Sequence, residues 1–127
     1  MRQVIHSSDA PKAIGPYSQA IAVPAGRLVF CSGQIPLDPK SGEVVQGDIG
    51  VQTERVMENL KAVLKASNLE LSNVVRCGIF LVDLADFGKV NEVYGRYFEV
   101  NPPARATVQV AALPKGARVE IDAIAVG

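Results

Sequence analysis

From Val74 to Val82 the chain places apolar side chains on odd and even positions alike: Val74, Val75, Cys77, Ile79, Phe80, Leu81 and Val82. Successive side chains of a strand leave on opposite faces, so a strand of this kind needs cover on both sides and belongs inside a sheet. The flanking segments cover one face. Upstream, Asp48 is placed to cap a helix in which Val56, Leu60, Val63 and Leu64 recur on one side, leaving Glu54, Arg55, Glu58, Lys61 and Lys65 to water. Downstream, Asp86 is placed to cap a second helix with Val90, Val93, Tyr94, Tyr97 and Phe98 as its packing stripe. No further helical pattern remains for the other face. A second copy of the chain is therefore expected to cover it, with sites at subunit boundaries.

The remaining segments read as strands and turns. Gln3 to His6 forms a short first strand, and Ile14-Gly15-Pro16-Tyr17-Ser18 a loop, because Gly and Pro adjoin. Strands at Gln19 to Val23 and Leu28 to Ser32 flank a Pro24-Ala25-Gly26 turn, which predicts a hairpin. The order is three strands, helix, strand, helix, two strands. That order predicts an α+β fold, a six-stranded sheet with two helices packed on one face, in one domain spanning residues 1–127.

Charge and composition narrow the function. Thirteen basic residues balance thirteen acidic ones and Trp is absent, so no global field or basic aromatic surface draws the chain towards nucleic acid. No apolar run has the length of a membrane span and the N-terminus lacks a signal-peptide core, which makes the cytoplasm the expected location. Cys31 and Cys77 lie far apart with only His6 as a nitrogen companion, so no metal site and no disulfide framework is expected.

The C-terminal quarter carries the candidate chemistry. In Pro103-Ala104-Arg105-Ala106-Thr107-Val108-Gln109-Val110 the even positions are apolar; in Arg118-Val119-Glu120-Ile121-Asp122-Ala123 the odd ones are. If both apolar sets face one core, Arg105, Thr107 and Glu120 share the other face of the sheet. Direct pairing of the two strands then puts Arg105 roughly 7 to 14 Å from Glu120 at strand rise, room for a small carboxylic acid and a water.

These residues, with Ile14-Gly15-Pro16-Tyr17-Ser18-Gln19-Ala20, Ser32-Gly33-Gln34-Ile35-Pro36, Asp83-Leu84, Phe87, Val90-Asn91 and Glu120-Ile121, resemble the RidA family, also called the YjgF family, from Ala10 to Val126. The resemblance implies a chorismate-mutase-like mixed sheet and a homotrimer with clefts between neighbouring subunits. It also implies hydrolytic deamination of enamines and imines such as 2-aminoacrylate and 2-aminocrotonate to 2-oxo acids and ammonia. By the same resemblance Arg105 binds the substrate carboxylate, Glu120 positions or deprotonates water, and Tyr17, Ser32, Gly33 and Asn91 are further cleft residues. Thr107 stands where many relatives have Cys; a backbone contact there survives the exchange, a thiol role does not.

Each residue also has a plainer role. Arg105 suits a carboxylate because a planar guanidinium donates two parallel bonds, yet a surface salt bridge uses the same group. Glu120 is equally an exposed strand residue, Ser32 and Gly33 an ordinary turn, Asn91 a solvated helix position and Tyr17 a packing side chain. Tyr94 and Tyr97 read as helix packing. The expected hydrolysis needs no cofactor: Arg105 fixes the carboxylate while Glu120 serves as proton donor and then as base to water. Three other readings compete: a non-catalytic small-carboxylate sensor using the same cleft, a ribonuclease or translation inhibitor, as some proteins of this resemblance have been described, and a chorismate mutase of similar architecture. The last two lack a basic surface and a second well-placed cation respectively.

Overall fold

The computed structural model describes residues 2–127. Six strands and two long helices form, in the order β1 (Gln3–Ile5), β2 (Ala20–Ala22), β3 (Leu28–Gln34), α1 (Ile49–Ala66), β4 (Val74–Leu81), α2 (Phe87–Tyr97), β5 (Ala104–Gln109) and β6 (Val119–Val126). The α+β class, the helices and their packing stripes follow the sequence pattern. Asp48 caps α1, its carboxylate accepting from the Val51 amide at 3.0 Å. Val56, Met57, Leu60 and Leu64 of α1 and Val90 and Tyr94 of α2 are fully buried against the sheet.

The strands do not form one six-stranded sheet. Four of them make a mixed sheet in the order β3-β6-β4-β5, with β4 and β5 parallel and the other pairs antiparallel; β1 and β2 pair separately. The hairpin expected across Pro24-Ala25-Gly26 is absent. Instead Arg27 and Gly127 exchange backbone hydrogen bonds at 3.1 and 3.0 Å, so the end of β6 anchors the start of β3 and leaves β2 to β1. Asp86 precedes α2 but makes no capping bond. Its carboxylate takes two bonds from Arg118, at 2.9 and 3.0 Å, while Asp83 caps the preceding 3₁₀ turn at Leu84–Asp86.

The helices cover one face of the four-stranded sheet. Cys77, Ile79 and Leu81 of β4 and Val119, Ile121, Ala123 and Ala125 of β6 point into that core. On the other face Phe30, Ile124, Arg76 and Ala104 form one row across the strands, and Glu120, Phe80 and Val108 another. No element of the described residues packs over these rows, and Phe30 is 70% exposed.

Candidate active site

Strand β5 follows Pro102 and Pro103 and lies at the sheet edge, parallel to β4, with Arg105 opposite Cys77. Residues in register share a face, so Arg105 leaves on the helix side, where α2 lies. Its guanidinium carbon is 5.2 Å from the Tyr17 ring centroid, 5.5 Å from that of Phe87 and 5.2 Å from that of Tyr94. Nη1 donates to Asn91 Oδ1 at 2.5 Å. The loop bearing Tyr17 is tied to the root of β5, because the Ser18 amide donates to the Pro103 carbonyl at 3.2 Å and the Ser18 hydroxyl to that of Pro102 at 2.5 Å. Gly15 turns this loop at φ +111°, a conformation L side chains disfavour, close to Arg105 and Asn91.

Arg105 is half-buried, and burial lowers its pKa from the ordinary guanidinium value. None of the four ion pairs among the described residues includes it. It is a desolvated cation, held by rings and one amide oxygen, with donors left for an anion. Thr107 follows two residues on, on the same face, and its buried hydroxyl has no partner.

Glu120 belongs to the other face. It pairs with Phe80 of β4, and its side chain lies over Gly33: a Cβ built there would stand 2.7 Å from the Glu120 carboxyl carbon. Between Cys31 and Gln34 the β3–β6 register shifts by one residue, so Ser32 and Gly33 form a bulge beside Glu120 and Asp122. Asp122 is seated similarly over Gly78, accepting from its amide at 2.8 Å.

The expected residues therefore fall into two groups. Tyr17, Asn91 and Arg105 come together, with Thr107 on their side; Ser32, Gly33 and Glu120 come together on the opposite face. The expectation that Arg105 and Glu120 share a face within one chain is corrected. It assumed that β5 and β6 pair and that Ala106 and Val108 point into the helix-covered core. In fact β4 lies between them, and Ala106 and Val108 face outward, Val108 at 44% exposure. A groove of about 630 Å³ beside Lys61, Lys65 and Leu69 on the outer side of α1 contains residues of neither group.

Two neighbours of Arg105 carry no site signal of their own in the sequence: Phe87, a motif position, and Tyr94, part of the packing stripe of α2. With Asn91 they stand at i, i+4 and i+7 of one helix, a spacing that puts all three on one face.

Residues 7–127 match the family model described as Endoribonuclease L-PSP. Protein DfrA of Myxococcus xanthus is 71% identical over 125 residues, 98% of this chain and 95% of its own. The 2-iminobutanoate/2-iminopropanoate deaminase of Rattus norvegicus is 51% identical over 126 residues, covering 99% and 90%. Among solved structures, E. coli TdcF with bound serine superposes with a TM-score of 0.76 at 41% identity over 98% of each chain.

Proposed function

Since this chain belongs to the endoribonuclease L-PSP family, known also as RidA or YjgF, we propose that it hydrolyses 2-imino acids, and the enamines that tautomerise to them, to 2-oxo acids and ammonia. The observation that carries this reading is Arg105: a half-buried guanidinium among three rings, without a carboxylate partner among the described residues, in a chain about half identical to deaminases of imino acids. Such a cation suits a small substrate carboxylate.

Arg105 and Glu120 leave opposite faces of one sheet, so the complete site takes Arg105, Tyr17 and Asn91 from one copy and Glu120, Ser32 and Gly33 from the next. The uncovered face bearing Glu120 and Phe30 supports such an assembly, which we take to be a cyclic homotrimer acting in the cytoplasm. Clamped by Arg105, the substrate turns its C=N carbon towards a water held by Glu120. Protonation at nitrogen makes that carbon electrophilic. Water adds, the C–O bond forms, and the C=N π pair becomes a nitrogen lone pair. Glu120 takes a proton from the added water and returns one to nitrogen. The carbinolamine, protonated on nitrogen, then expels ammonia by breaking its C–N bond, while its hydroxyl gives its proton to the Glu120 carboxylate and becomes the 2-oxo group. No cofactor enters this chemistry.

The test couples the protein to a threonine dehydratase and follows imine loss together with ammonia release. Wild type is expected to accelerate both in step, and Arg105→Ala to abolish the saturable part. Imine sequestered without faster ammonia release would make the chain a carboxylate-binding sensor instead. Thirteen basic against thirteen acidic residues give the chain no net attraction for an RNA backbone, which disfavours a ribonuclease reading.

A further inference from the structure

We infer that Tyr94 is a positioning residue for Arg105: its ring forms the buried back wall of an aromatic cage that holds the guanidinium towards the cleft and dehydrates it for a carboxylate ligand. This inference rests on the reading of Arg105 as the carboxylate binder. Tyr94 has no solvent exposure and is braced from behind by Phe98, their ring centroids 4.8 Å apart. Its own centroid is 5.2 Å from the Arg105 guanidinium carbon, within the range of a cation–π contact. Tyr17 and Phe87 complete the cage at 5.2 and 5.5 Å, both only partly buried, so Tyr94 alone of the three is locked in the core.

The ring, not the hydroxyl, carries the role. The Tyr94 hydroxyl is buried beside the Cys77 thiol, its one polar neighbour of note and not in good hydrogen-bond geometry, and burial raises the pKa of the phenol. A neutral hydroxyl beside a protonated thiol holds no charge in place. A ring braced by Phe98 and facing a cation limits where that cation settles, and it removes water that otherwise competes with an incoming carboxylate. The contribution is thus to affinity for the carboxylate rather than to the proton transfers at the imine carbon.

The experiment measures the dissociation constant of a stable 2-oxo acid, 2-oxobutanoate, by calorimetry on wild type, Tyr94→Phe, Tyr94→Leu, Phe87→Leu and Arg105→Ala. Melting curves accompany each variant. Tyr94→Phe should bind within about twofold of wild type and Tyr94→Leu about tenfold more weakly, the size of one partly desolvated cation–π contact. In the coupled assay Tyr94→Leu should raise KM by a similar factor and leave kcat within about twofold. Should Tyr94→Leu fail to fold, Phe87→Leu, at the half-buried rim of the same cage, should weaken binding in the same direction while Tyr94→Phe still rescues. Wild-type affinity in both leucine variants, alongside loss in Arg105→Ala, overturns the cage and leaves the carboxylate clamp standing. Equal loss in Tyr94→Phe and Tyr94→Leu assigns the effect to the hydroxyl and also overturns it. Undiminished binding by Arg105→Ala removes the clamp itself.

Discussion

The Glu120 side chain occupies the space that a residue with a side chain would take at position 33: a Cβ on Gly33 would stand 2.9 Å from Glu120 Cγ and 2.7 Å from its carboxyl carbon. The two meet across the β3–β6 pairing, where the bulge at Ser32 and Gly33 brings the β3 backbone under the carboxylate. A glycine here sets the place of a charged group rather than a turn.

Gly33→Ala should therefore separate activity from stability. The obstructing atoms run from Glu120 Cγ to its carboxylate, so the side chain must take another rotamer to clear the new methyl. The loss of stability should stay below about 1 kcal/mol, as for other substitutions that leave the core untouched. Turnover should fall by about tenfold or more, because a displaced carboxylate no longer holds water in line. Urea titrations and the coupled imine assay on the same preparation check both halves. A variant that keeps wild-type turnover dissociates the seat of Glu120 from its role.

Phe30→Glu tests what covers the outer face of the sheet. Phe30 is 70% exposed in the protomer, so the substitution should leave each chain folded. In an assembly that buries this face, the same change loses roughly 1.5 to 3 kcal/mol of apolar burial per copy and adds an unpaired charge. Light scattering should show a mass falling from several chains to one, with deaminase activity lost in parallel. An oligomer of unchanged mass would place the interface elsewhere.

The helix side of this fold was legible because its signals are local. Alternation through Val119, Ile121 and Ala123 places them in the core, and the recurrence of Val56, Leu60 and Leu64 does the same for α1. Strand partners are not local. The parity of Ala106 and Val108 says only that they share a face; which face depends on β4 standing between β5 and β6, a long-range pairing that alternation does not encode. For that reason alternation alone places Arg105 and Glu120 on one face, whereas the pairing puts them on opposite faces. The missing β2–β3 hairpin has the same origin, since the competing partner of Arg27 is Gly127, at the far end of the chain.

Alkaline conditions should weaken the fold through Cys77. Burial pushes this thiol from 9.0 up to about 12, against a smaller opposing influence from the Tyr94 hydroxyl. The native state thus keeps its proton where the unfolded chain loses it. The sign follows: the contribution is complete below pH 9 and is lost as pH rises towards 12, at up to about 1.4 kcal/mol per pH unit. Urea midpoints between pH 8 and about 10.5 should fall more steeply for wild type than for Cys77→Ala, which has no thiol to ionise. Parallel curves would mean that the thiol contributes nothing to the loss.

A shared site makes a prediction that a site within one chain does not. Arg105→Ala and Glu120→Ala should each be inactive as homo-oligomers, because every cleft then lacks either its clamp or its water-holding carboxylate. Unfolding the two together and refolding them as an equal mixture creates clefts in which one neighbour supplies an intact Arg105 and the other an intact Glu120. In a cyclic assembly with random mixing this happens in about a quarter of clefts, so about a quarter of wild-type activity should return. As a control, the double variant Arg105→Ala with Glu120→Ala refolded with an equal amount of wild type should fall from the half of full activity that its wild-type chains carry alone to about a quarter, because half of their clefts then gain a neighbour that supplies nothing. Recovery well above the sum of the parents fits the opposite-face placement of the two groups, whereas no recovery from a verified mixed oligomer would require both to act from a single chain. That outcome would demand a rearrangement carrying one side chain around the β5 edge, and the shared-cleft proposal would fall.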